Sequence, residues 1–146
     1  MPVRIEALWT VAGVAMVSAL YVVMGALLVM KFTLDVVRYR RFYRVAYGDG
    51  GYHDLKMAIR IHGNAIETIP LALFLLVMME MNGADIWMVH LTGLLFFISR
   101  LLHAWGLRSS AMAGRKYGML LTLFSLCGMV IFNLIYMPWE LVLTLH

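Results

Sequence analysis

The chain has 146 residues, of which 63% are hydrophobic and 14% charged, with a formal net charge of +4 and a mean hydropathy of +0.85. Soluble domains run nearer half apolar and a quarter charged, so this composition excludes an ordinary soluble protein and implies one membrane-embedded domain. The basic balance does not imply nucleic acid, because the cations cluster in loops between apolar runs, and a lone Cys127 excludes an intrachain disulfide or a cysteine-based zinc site.

The first apolar run covers about residues 7–30. At 1.5 Å per residue it is long enough to cross a hydrocarbon core of roughly 30 Å. Only Arg4 precedes it and no clear cleavage site follows, so it reads as a retained helix rather than a signal peptide. Gly13, Ala15, Ser18, Ala19, Gly25 and Ala26 are small enough to admit another helix. Residues 31–56 read as a polar loop. There Arg38, Arg40, Arg41 and Arg44 stand among aromatic side chains, a pattern that suits an anchor on lipid phosphates. Gly48, Asp49, Gly50 and Gly51 mark a turn.

The second span, about 57–81, begins polar and ends apolar. Arg60, Asn64 and Glu67, spaced by four and three, fall on one helical face with Gly63 beside them. Pro70 lies inside this helix, where a membrane environment tolerates it and a kink is expected. Asn82, Gly83, Ala84 and Asp85 form a turn without Lys or Arg. The third span, about 86–107, carries His90, Arg100 and His103, and the last two share a face. Residues 108–116 are a second basic loop. The fourth span, about 117–137, ends at Pro138, and Trp9, Trp87 and Trp139 read as interfacial anchors. Lys and Arg concentrate between spans one and two and between spans three and four. The positive-inside rule then places both basic segments in the cytoplasm and both termini outside.

Ionisable groups inside a membrane are costly and face a bundle interior or a partner. The polar end of this chain offers Arg60, Arg100 and Arg115, one anion in Glu67, an amide in Asn64, and imidazoles in His62 and His103. Arginine forks take carboxylates in bidentate fashion, and a carboxylate accepts from an ammonium, so the mixture suits a small zwitterion. An internal ion-pair network, with Arg60 or Arg100 neutralising Glu67, accounts for the same residues without a ligand. A haem or metal site is not expected. His90 and His103 are thirteen residues apart and do not share a helical face, and although His62 could partner His103, no histidine on another span sits at the depth of His90.

The text R-x-H-G-N-x-x-E-x-x-P from Arg60 to Pro70 is followed by E-x-N-G from Glu80 to Gly83. His90, Gly93 and SRLLHAWGL from Ser99 to Leu107 complete the pattern, with GDGG upstream at Gly48 to Gly51. By these motifs the chain resembles the MAPEG family, the membrane-associated proteins in eicosanoid and glutathione metabolism, and in particular its bacterial members. The resemblance implies an all-α fold of four membrane-spanning helices in a single domain, residues 1–146, assembled as a homotrimer in a bacterial inner membrane. It implies glutathione, or another small thiol, as co-substrate at a site between subunits. Arg60, Asn64 and Glu67 match the family's second-helix ligands position for position. Arg115 matches an arginine that stabilises the glutathione thiolate from a neighbouring subunit, with Lys116 beside it. Arg100 and His103 are expected to complete the thiol site. The implied activity is transferase-like or peroxidase-like, acting on a lipophilic electrophile that arrives through membrane lipid. A binding or structural protein that keeps the bundle without turnover is the alternative.

Overall fold

The computed structural model describes residues 3–144, with side chains from residue 17 onward except at residue 141. Four long helices follow one another: α1 Val3–Tyr43, α2 His53–Met81, α3 Ile86–Arg108 and α4 Met112–Ile135. A short α5, Trp139–Leu143, closes the chain. All four long helices have a stretch long and apolar enough to cross a membrane, and no strand occurs among the described residues. The fold is an all-α, four-helix membrane bundle.

The helices run further than hydropathy alone places them. Residues 31–43 are not loop but the last three turns of α1. Arg, Lys and Tyr break hydropathy without breaking a helix, and residues 31–47 contain neither glycine nor proline. For the same reason α2 starts at His53 and α4 at Met112, each several residues earlier than the apolar signal. α2 continues through Pro70. The reversal between α2 and α3 takes two residues of turn, with Gly83 at φ +84°, a left-handed conformation that costs glycine little.

α2, like α3, contacts the other three long helices. The core face of α2 is Leu55, Ala58, Ile61, Ala65, Ile69, Ala72, Leu76 and Met79, a run of three- and four-residue steps. Tyr21 and Phe32 from α1, Val89, Phe96 and Phe97 from α3, and Met129 from α4 pack on it. Of the small residues in the first span, Ser18 and Gly25 face the core, and Gly25 lies against Ile69 and Leu73 of α2. Ala19 and Ala26 face outward, while the side chains of Gly13, Ala15 and Trp9 lie outside the described residues. Trp87 and Trp139 are exposed, as interfacial anchors require. Cys127 sits on the outer face of α4 rather than in the packing.

Polar pins set the helix register at both ends. At the end that holds the α2–α3 turn, the Ser18 backbone N–H donates to the buried Glu80 carboxylate at 2.7 Å, and the Tyr21 hydroxyl lies 3.0 Å from His90 Nδ1. Asn133 Nδ2 donates to the Leu75 carbonyl at 2.9 Å, tying α4 to α2. At the opposite, basic end, Asp35 of α1 receives both Lys31 and Arg108, the latter from the last turn of α3. Tyr43 stacks on Tyr52 at 4.0 Å between ring centres and joins the end of α1 to the start of α2.

Candidate functional site

Arg60, Asn64 and Glu67 stand on the side of α2 turned away from the core. Core positions 58, 61, 65 and 69 and the polar positions 60, 64 and 67 both advance by threes and fours, so they form two stripes roughly 140° apart on one helix. Arg60 and Glu67 are exposed and Asn64 is half-buried. Asn64 Nδ2 donates to the Arg60 carbonyl at 2.9 Å, and Thr68 Oγ1 donates to the Asn64 carbonyl at 2.7 Å. Among the described residues, no cation lies within ion-pair distance of Glu67. The internal network expected as an alternative, with Arg60 or Arg100 on Glu67, therefore does not form within one chain. A carboxylate midway along the outer face of a membrane-spanning helix needs a partner or a ligand, because lipid supplies neither charge nor hydrogen bonds.

Arg100 and His103 do not join this stripe. They share a face of α3, as their spacing predicts, but that face packs on α4 and is closed, with Arg100 1% and His103 5% exposed. Arg100 Nη1 reaches Thr122 Oγ1 at 3.4 Å, and Ser99 Oγ lies 2.9 Å from the same hydroxyl. His103 Nδ1 lies 3.1 Å from the Arg115 carbonyl oxygen. Arg100 Nε and His103 Nε2 have no hydrogen-bond partner among the described residues. Within one chain, then, these two side chains lie apart from the stripe of Arg60, Asn64 and Glu67. They belong to the α3–α4 seam.

Arg115 is exposed in the first turn and a half of α4. It forms one wall of a cavity of about 190 Å³ at the basic end. His53 and Met57 from the first turns of α2, and Gly106, Leu107 and Ser110 from the α3–α4 corner, line it as well. His53 was not singled out by sequence reasoning, although the signal was present. It precedes Arg60 by seven residues, two helical turns, and so returns to the same face. The cavity thus lies below the foot of the α2 stripe, with both His53 and Arg115 in its lining.

Residues 18–135 match the profile of the MAPEG family. The chain is 56% identical over 131 residues to Inner membrane protein YecN of Escherichia coli (strain K12), which covers 90% of this chain and 100% of that protein. The same identity and coverage hold for Inner membrane protein YecN of Escherichia coli O6:H1 (strain CFT073).

Proposed function

The chain belongs to the MAPEG family, and from that premise we propose that it binds glutathione or a closely related small thiol on the α2 stripe and activates it beside Arg115. It is an integral, multi-pass protein of the inner membrane. The observation that carries the reading is the outward stripe itself. Arg60, Asn64 and Glu67 match the family motif and face away from the packing, and among the described residues of the chain no cation pairs with Glu67. The Arg60 fork suits a ligand carboxylate, Glu67 suits an ammonium, and the Asn64 side-chain carbonyl remains free to accept. In this reading both basic segments, and with them the thiol site, face the cytoplasm.

A free thiol has a pKa near 8.5 and is mostly protonated at neutral pH. A guanidinium within a few ångströms favours the thiolate, which is the attacking species. The thiolate forms a carbon–sulfur bond with a lipophilic electrophile arriving from the bilayer, and the leaving group departs with the electron pair. With a lipid hydroperoxide, the thiolate instead attacks the terminal peroxide oxygen. The O–O bond breaks, the alcohol leaves after taking a proton, and a second thiol converts the sulfenic acid to a disulfide and water. The thiol brings the nucleophile, and the protein contributes placement and charge.

A thermal-stability titration of the detergent-purified protein with glutathione tests the reading. A ligand that binds only the folded state stabilises it by about 2.7 kcal/mol at a hundredfold excess over Kd. The wild type is expected to shift upward, and Glu67→Ala and Arg60→Ala to lose most of that shift while remaining folded. Equal shifts in all three proteins would put the ligand elsewhere, and no shift in the wild type would refute thiol binding.

The same stripe argues for assembly. An outward-facing Arg60, Asn64 and Glu67 are sheltered from lipid when a second copy covers them, and the family resemblance implies three copies. Native mass spectrometry from a mild detergent is expected to give a trimer. A monomer that still binds glutathione would place the whole site within one chain.

A further inference from the structure

We infer that His103 is a positioning residue for Arg115, acting through the main chain of α4 rather than touching the thiol. The inference rests on the function proposed above and adds a residue to it. Three observations carry it. His103 is 5% exposed, closed in the α3–α4 seam, so a ligand in the open cavity does not reach its ring. Its Nδ1 lies 3.1 Å from the Arg115 carbonyl oxygen, and since a carbonyl only accepts, Nδ1 carries the hydrogen and donates. The backbones meet on both sides of this bond. A Cβ added at Gly118 would lie 2.5 Å from the His103 backbone nitrogen, and one added at Gly106 would strike the backbone of Gly114 and Arg115.

The imidazole is therefore a strut between the last two turns of α3 and the first turns of α4. It fixes where the Arg115 Cα sits on the cavity wall and the direction from which its guanidinium leaves. Arg115 itself is exposed and makes no side-chain hydrogen bond or ion pair among the described residues, so its placement comes from the main chain. A catalytic group displaced by about 1 Å costs on the order of a hundredfold in rate, so a strut of this kind shows in chemistry before it shows in binding.

The test uses the full-length protein in detergent with His103→Leu and His103→Asn. Three quantities are read for each: glutathione affinity by calorimetry, the ultraviolet absorbance of bound thiolate against pH, and the rate with a generic aryl halide. Leucine fills the seam but cannot donate. The asparagine Nδ2 occupies nearly the place of Nδ1 and can. His103→Leu is expected to keep glutathione affinity within about twofold while its thiolate appears at higher pH and its rate falls by on the order of ten- to a hundredfold. His103→Asn is expected to recover most of both. The inference is overturned if His103→Leu keeps the wild-type thiolate profile and rate, or if His103→Asn falls as far as His103→Leu. Loss of affinity in both variants also overturns it, since the ring would then be a direct ligand. A wild type that binds no glutathione and shows no thiolate refutes the proposed function itself, and the role of His103 falls with it. A wild type with a clear thiolate beside an unchanged His103→Leu refutes only the strut.

Discussion

Arg115→Ala is expected to lower the rate of thiol conjugation by on the order of a hundredfold or more while glutathione affinity changes little, because a charge that acts mainly on the developing anion is worth about 10²–10³ in rate. Arg115 borders the cavity below the foot of the α2 stripe, and its exposed side chain has no partner among the described residues to hold it elsewhere. Steady-state rates and the ultraviolet thiolate signal measure the two halves of the expectation separately. Arg115→Lys should fall between the two proteins, since an ammonium supplies the charge without the planar fork. A rate unchanged in Arg115→Ala would move the thiolate role to Lys116. Mixed oligomers carrying Arg115→Ala and Glu67→Ala on different chains add a second result. Activity returns in the mixture if the arginine serves a neighbouring subunit. It stays lost if the arginine serves the stripe of its own chain.

Gly106→Ala is expected to be the most damaging added methyl among the described glycines. The added carbon would meet the backbone of Gly114 and Arg115, and backbone atoms at a helix start cannot rotate aside as a side chain can. Overpacking of this kind costs about 3 kcal/mol at its upper end. For a chain of this size that corresponds to an unfolding midpoint lower by roughly 6–12 °C. Gly128→Ala is the control. No heavy atom lies within 4 Å of the added carbon there, and alanine is the better helix former. Its midpoint should stay level or rise. If Gly106→Ala unfolds at the wild-type temperature, the close approach of α3 and α4 at this corner is wrong, and the support given to Arg115 is weaker than described.

The four membrane-spanning helices were legible, because four apolar runs separated by charged or glycine-bearing segments permit little else in a membrane, whereas the short α5 was not. The ends of the four were not legible either. Hydropathy reports where lipid stops, whereas a helix stops at a break in backbone propensity, so the last turns of α1 through Arg40 and Arg41 were read as loop. The stripe of Arg60, Asn64 and Glu67 was legible from spacing alone. Arg100 and His103 were legible as a pair, but not which neighbour their face meets. That choice is set by Gly114 and Gly118 on α4, whose missing side chains let α4 close over them. Glu80 was legible only as text in a motif. Its burial against the Ser18 backbone depends on how α1 is laid beside α2, which no local pattern encodes.

The two stripes of α2 divide labour along a single helix. The fully buried positions of α2 centre on the side of Ile61, Ala65 and Ile69, whereas the residues proposed to read a ligand lie on the side of Arg60, Asn64 and Glu67. Exchanging a residue on the outer stripe removes no fully buried side chain from the core of one chain, so the recognised molecule can change over evolutionary time while the fold of the single chain stays as it is. A scaffold arranged in this way is free to diversify its chemistry first and repair its stability never.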